Sequence, residues 1–185
     1  MADIKKVMAI LYKVEFSNPN DVLEKNKYED GWTFMGIYQK ANPDLDLWKI
    51  IRQKMQQYNG DMKLVGSMLY DNPMMREYVA AFYKREYWDR MKLDQIESQH
   101  VANEMMIFGV NAGVKAAIKL AQRAAGAVQD GVIGPNTLKA LNKVDEKVFS
   151  QVYDELEQEH YEKLVYAKPE LKIYARGWKN RSEVV

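Results

Sequence analysis

With 185 residues the chain is long enough for one domain with a sizeable core, or for a small domain with an attached module, and too short for two large ones. Its 27 Lys and Arg nearly balance 26 Asp and Glu, which leaves no global field to draw it onto nucleic acid or an anionic membrane, so neither is expected as a partner. The absence of cysteine excludes disulfides and suits a reducing or an oxidising compartment equally.

The N-terminal segment MADIKKVMAILYKVEF mixes basic and apolar residues, but Lys13 and Glu15 interrupt it before an h-region or cleavage site. It is expected to be a mature amphipathic helix rather than a signal peptide, with Ile4, Val7, Met8, Leu11 and Tyr12 inward and Ser17-Asn18-Pro19-Asn20-Asp21 as its stop. A polar loop to Gly31 follows, and Glu24 to Thr33 is the place where a small β-hairpin is expected. Leu47, Ile50, Ile51 and Met55 predict the next helix. Gly60, Gly66 and Pro73 punctuate short segments before a long aromatic helix near Met74 to Trp88, and another helix spans roughly Gln95 to Phe108.

Val114, Ala117, Ile118, Ala121 and Ala124 form a narrow stripe of mostly small residues suited to close helix approach. Gly126, Asp130-Gly131 and Gly134-Pro135 then supply a turn, with Pro135 opening a short helix whose buried side is Leu138 and Leu141. Val144 to Tyr166 reads as one long helix with Val148, Val152, Leu156, Tyr161 and Leu164 inward; a last short helix carries Tyr174 and Trp178. No run of about eighteen apolar residues exists, so no membrane-spanning helix is expected. The fold class is all-α, mainly helical with one small β-hairpin.

Chemistry first suggests itself at Glu15. Ile4, Met8, Leu11 and Glu15 fall at i, i+4, i+7 and i+11, which puts a carboxylate on the apolar stripe at the C-terminal end of a helix. Partial burial and the negative end of the helix dipole both disfavour its charged form, so its pKa is expected above the reference of about 4.3. His100 and His160 lie far apart in sequence and no Cys accompanies them, so a metal site has little support. GxSxG, P-loop and dinucleotide fingerprints are absent.

The wording of the turn is distinctive. DGVIGPNTLKALN after LAQRAAG resembles the peptidoglycan-binding module of many wall hydrolases, whose pattern is DGxxGPxT followed by a short helix. With Phe108, Val110-Asn111 and Gly113 ahead of it, with YKREYWDRMKLDQI at Tyr83 to Ile96, and with HYEKLVYAKPELKIYARGWKNR at His160 to Arg181, the chain resembles glycoside hydrolase family 108, the phage and prophage N-acetylmuramidases. The resemblance implies a lysozyme-like fold, with a catalytic region over residues 1–92 and a peptidoglycan-binding-like helical region over residues 93–185, packed as one compact unit.

In that family the catalytic acid stands in an EGGY segment at the end of the first helix, followed by GGxT-like and YGIT-like stretches. Here VEFSNPND, EDGWT and FMGIY occupy those places: Glu15, Gly31, Thr33, Gly36 and Ile37 match, Gly-Gly-Tyr is reduced to Phe16, and Met35 replaces Tyr. The resemblance thus implies Glu15 as the general acid that protonates the leaving sugar oxygen of the β-1,4 bond between N-acetylmuramic acid and N-acetylglucosamine. Asp30 is the first choice for a second group that activates water, with the Thr33 hydroxyl positioning that water; Glu29, Asp21 and Glu24 are rivals, and a solvated acidic loop is the plain reading. Trp32, Tyr38, Tyr83, Tyr87 and Trp88 are either core or sugar-stacking rings. Tyr87 and Asn111 are the expected substrate contacts, a satisfied buried amide being the other reading of Asn111. No metal or organic cofactor is implied.

The expected partner is the peptidoglycan glycan strand, met by a monomer made in the host cytoplasm without a signal peptide, which reaches the wall through a holin-type lesion or by secretion. Two other readings stay open: a wall-binding or phage structural protein that keeps the scaffold without turnover, and a helical module whose Met and Tyr stripes bind a protein partner.

Overall fold

The computed structural model describes residues 1–16, 18–25 and 31–174, apart from the side chains of residues 14, 15, 173 and 174. Within them the chain forms eight α-helices, short 3-10 and π turns and one three-stranded antiparallel sheet. They gather into two compact units, residues 11–82 and residues 1–10 with 83–185. The sequence-based division at residue 93 falls inside the larger of these. Among the described residues no helix is long and apolar enough to cross a membrane.

Helix α1 (Ile4–Glu15) starts where Asp3 accepts from the Lys5 backbone N–H, and it buries Val7, Met8 and Leu11 as the periodicity predicts. Its residues 11–15 belong to the smaller unit. There a 3-10 turn (Pro19–Asp21), capped by Asn18, leads into β1 (Leu23–Glu24), β2 (Thr33–Phe34) and β3 (Ile37–Tyr38). Strand residues alternate between faces, and the register pairs Leu23 with Phe34 and Phe34 with Ile37, all three buried. Glu24, Thr33 and Tyr38 form the matching rung on the opposite face.

The sheet extends beyond the expected hairpin because Met35-Gly36 closes a two-residue loop between β2 and β3. Both residues have positive φ, 45° and 73°, as a type I′ turn requires. Such a φ suits Gly and is unfavourable for Met; the buried Met35 side chain and the 2.8 Å bond from its N–H to the Val22 carbonyl hold it there. Helices α2 (Leu47–Gln57), α3 (Met62–Tyr70) and α4 (Pro73–Tyr83) follow. Trp48 is the deep anchor of α2, with its Nε1 donating to the Asn42 carbonyl at 2.6 Å, while Ile50 is only half-buried. At Gly66, α3 approaches β1 so closely that a Cβ would lie 3.1 Å from Leu23 Cβ.

In the larger unit the aromatic helix gives way to a π turn (Lys84–Trp88), then a 3-10 turn (Leu93–Gln95) and α5 (Gln99–Ala112). Helix α5 begins later than the expected Gln95 because the Ser98 hydroxyl caps it, accepting from Val101 N–H. Residues 101–109 of α5 are all buried. Then come α6 (Val114–Ala124), α7 (Pro135–Leu141), α8 (Glu146–Ala167) and a 3-10 turn (Pro169–Tyr174); Trp178 lies outside the described residues. The inward stripe of α8 differs from expectation: Phe149, Tyr153, Leu156 and Glu157 are buried, whereas Val148 is 61% exposed. Phe149 and Tyr153 stack at 5.2 Å and bury far more apolar area than two valines, so they set the rotation of the helix.

The turn between α6 and α7 closes on one side chain. Gln122 is fully buried; its Nε2 donates to Asp130 Oδ1 at 2.7 Å, to the Val132 carbonyl at 3.0 Å and to Thr137 Oγ1 at 3.1 Å, and its Oε1 accepts from Gly131 N–H at 2.9 Å. The Gln122 and Val132 amides together hold the Asp130 carboxyl below its usual range. Replacing Gln122 with Leu leaves the Gly131 N–H without its acceptor and the Asp130, Val132 and Thr137 oxygens without a shared donor. We expect a loss of about 2–3 kcal/mol, seen as a lower urea midpoint at unchanged m-value.

The interface of α5 and α8 holds two buried acids, Glu104 at 1% and Glu157 at 4% exposure. Burial pushes Glu104 up to about 7, against the pull of the Ser150 hydroxyl that donates to it at 2.8 Å, with the Asp154 charge adding to the rise. Burial pushes Glu157 up to about 9, helped by the charges of Glu104 and Asp154. Both folded values lie above the unfolded reference of about 4.3, so between them the native state binds more protons than the unfolded chain. The stability these acids contribute is complete below that reference and is lost as pH rises through 7 and 9. Thermal unfolding is therefore expected to show a falling Tm from pH 5 to pH 9, worth at least about 1 kcal/mol, and Glu157→Gln should flatten the profile. A Tm that climbs over this range would refute the assignment.

Candidate functional site

Of the residues expected to carry catalysis, Glu15 stands on the end of α1 and Thr33 on the sheet, both in the smaller unit. Glu15 is the last residue of α1; its side chain lies outside the described set, and Asp30 and Glu29 lie wholly outside it. What the structure describes is the frame around them.

That frame starts with Tyr12, one turn before Glu15. Its ring meets Phe16 edge-on at 5.7 Å and Tyr70 at 6.3 Å, and its hydroxyl lies 3.4 Å from the Arg76 carbonyl. The Arg76 guanidinium sits 4.6 Å from the centre of the Tyr70 ring and 5.9 Å from that of Tyr12, and its Nε donates to the Tyr70 carbonyl at 2.7 Å. Burial raises the Tyr12 hydroxyl above its ordinary range, opposed by the Arg76 charge, so the ring stays neutral at any ordinary pH. Phe16, which stands where the family pattern begins Gly-Gly-Tyr, is buried, and its N–H continues the helical bonding to the Tyr12 carbonyl at 3.2 Å. The end of α1 is thus clamped by rings and a cation.

The second part of the frame is the polar rung of the sheet. Thr33 is half-buried on the middle strand, directly opposite Glu24 on β1 and Tyr38 on β3. Directly opposed residues of antiparallel strands hold their Cβ atoms about 4.5–5.5 Å apart, so an exposed carboxylate and a phenol flank the threonine hydroxyl on one face. Trp32 continues this edge: its N–H donates to Gln39 Oε1 at 3.0 Å and its carbonyl accepts from Gln39 N–H at 2.9 Å. Asp21 is engaged locally, accepting from the Asn18 side chain beside the 3-10 turn. Of the acids weighed for a second group, Glu24 is the described one that shares a rung with Thr33, and strand register was the signal sequence reasoning lacked.

Tyr87 and Asn111 belong to the larger unit. Tyr87 lies on the π turn, half-buried and stacked on Tyr83 at 5.6 Å; burial raises its hydroxyl, with the Glu86 charge in the same direction. Asn111 is exposed in the last turn of α5, so it is not a buried amide. Tyr83 and Trp88 are core residues, which leaves Trp32, Tyr38 and Tyr87 as the half-exposed rings. Among the described residues no group of three or more His, Asp or Glu is arranged to hold a metal.

Comparison with known proteins agrees with this frame. Residues 23–113 match the family model described as glycosyl hydrolase 108, and residues 116–183 match the predicted peptidoglycan domain. The first match starts at β1 and so takes in the whole sheet, while Glu15 precedes it. No curated protein matches the chain. Among solved structures, that of SagA from Brucella abortus is similar in fold at 20% identity, with a TM-score of 0.64, over 98% of this chain and 92% of that one. The first match agrees with a lysozyme-like, mainly helical architecture, and the chain carries a glycosyl hydrolase 108 domain followed by a predicted peptidoglycan domain, the pairing of a glycoside hydrolase that acts on peptidoglycan.

Proposed function

We infer that the enzyme is an N-acetylmuramidase, which hydrolyses the β-1,4 bond between N-acetylmuramic acid and N-acetylglucosamine. The observation that carries this reading is the polar rung Glu24–Thr33–Tyr38 inside the matched hydrolase segment, on the unit that also holds the end of α1. Glycoside hydrolysis needs one carboxylic acid to protonate the leaving oxygen and a second carboxylate to act from the other face of the sugar.

Glu15 serves as the acid. It stands at the negative end of a helix on the line of its apolar stripe, both of which favour a retained proton. The second group orients or activates water with help from the Thr33 hydroxyl. Asp30 and Glu24 are the two residues for this role, and the direct opposition of Glu24 and Thr33 favours Glu24. A carboxyl separation of about 6.5–9.5 Å would make the reaction inverting, and about 5–5.5 Å retaining. Trp32 and Tyr38 offer rings for the apolar faces of the sugars, and Tyr87 and Asn111 contact glycan from the larger unit. The protein acts as a monomeric phage or prophage endolysin, made in the cytoplasm and delivered to the wall through a holin-type lesion or by secretion.

Incubation of purified peptidoglycan with folded wild type is expected to release new muramic acid reducing ends, and Glu15→Gln should lower that rate by about 10²–10⁴-fold. Of Glu24→Gln and Asp30→Asn, the variant at the true second group should lose a similar factor while the other stays within about tenfold of wild type. Binding of the wall without any new reducing ends would instead indicate a scaffold without turnover. Tyr87→Ala is expected to raise KM with little change in kcat, the pattern of a uniform binding contact.

A further inference from the structure

We propose that the open depression between the start of α8 and the first turns of α5 binds a primary ammonium group, of the kind carried by diamino acids in the peptides that cross-link peptidoglycan. Assignment to that source rests on the wall-directed reading above; the ammonium chemistry rests on the pocket itself. The depression measures about 550 Å³ and is lined by His100, Glu146, Lys147, Ser150, Gln151 and Asp154.

Its lining sets two carboxyls, Glu146 and Asp154, against one ammonium, that of Lys147. Asp154 Oδ1 is buried and has no hydrogen-bond partner among the described residues. Glu104 Oε1, beneath it, receives the Ser150 hydroxyl at 2.8 Å and has His100 Nε2 at 3.4 Å. Glu157, one turn further along α8, is 4% exposed, and the charges of Glu104 and Asp154 act on it. Buried acceptors are normally satisfied, and three carboxyls this close repel one another as they ionise.

An ammonium group answers both needs, because it brings three donors, no acceptor and one positive charge. A neutral hydroxyl brings one donor and no charge, and an anion would meet the carboxylates head-on. A divalent metal is not favoured, since no three acidic or histidine groups among the described residues are arranged to hold one. Lys147 is exposed at the rim on a flexible stem, where it suits a carboxylate borne by the same amino acid as the ammonium.

The test is a titration of the isotope-labelled full chain with Nα-acetyl-L-lysinamide, followed by backbone amide chemical shifts, against the same molecule acetylated on its side-chain nitrogen. Saturable shifts at Ser150, Gln151 and Asp154 are expected with the ammonium form alone. Asp154→Asn should weaken them at least tenfold, and Gln151→Lys, which brings its own ammonium to the pocket, should block them. Equal response to both molecules, no response to either, or unchanged affinity in both variants overturns the proposal. Soluble wall peptides with free amines should displace the probe and their N-acetylated forms should not; displacement by both or by neither overturns the peptidoglycan source. The same wild-type preparation is assayed for new reducing ends, so that absence of hydrolysis counts against the muramidase reading while the shifts still decide the pocket.

Discussion

A helix buried along nine successive residues must have every polar group it carries satisfied by its neighbours, and the larger unit is built around that demand on α5. Asn103 and Glu104 are the two polar residues in the buried stretch. Asn103 accepts from Gln99 Nε2 at 2.8 Å, one turn away on the same helix, while Glu104 depends on Ser150 of α8. Packing therefore fixes the neighbours in phase as well as in place. Phe108, one turn beyond Glu104, meets Tyr153, His160 and Tyr161 edge-on at 5.3 to 5.9 Å, and Tyr153 sends its hydroxyl to the Ala117 carbonyl of α6. Burial keeps the His160 ring below its usual basicity, with the Lys163 charge in the same direction, so it joins this cluster as a neutral ring. The cost of the arrangement is a carboxyl that cannot ionise freely, and the raised values of Glu104 and Glu157 are that cost made visible.

The same logic explains why the motif between α6 and α7 is legible as a string of letters. Asp130, Gly131, Thr137 and the glutamine of LAQRAAG look like separate turn preferences, yet all four meet in the bonds of Gln122. A motif with one buried amide at its hub tolerates few substitutions, because each partner would strand another polar group. The turn could thus be recognised from sequence although its hub, a glutamine on a helix, carries no turn signal of its own.

Helix positions were readable for the usual reason, that apolar residues at helical spacing mark a buried face; α1, α2, α6 and α7 all follow it. The departures have particular causes. Val148 fitted the period as well as Phe149 did, and only the aromatic pair in three dimensions decides between them. Ser98 capped α5 at a point where periodicity alone continues back to Gln95. The reach of the sheet was hidden because Met35 occupies a left-handed conformation that sequence rules reserve for Gly, Asn or Asp. For the candidate site, residue type and helix position carry the reading as far as naming Glu15 and Thr33 as candidates. The site was not legible where strands pair, since nothing local places Glu24 opposite a threonine nine positions away.

A sheet with two residues in each strand is marginal by itself, so its polar rung can be rigid only if the buried rung is locked from behind. Leu23, Phe34 and Ile37 are locked in this way: α3 presses on β1 at Gly66, and the buried Met35 ties the hairpin to Val22. The end of α1 is braced separately by Tyr12, Phe16, Tyr70 and Arg76. Both supports are internal to the smaller unit. In the proposed reaction, the end of α1 and the strand that carries Thr33 are held by one packed core, and a catalytic geometry needs that kind of fixed support.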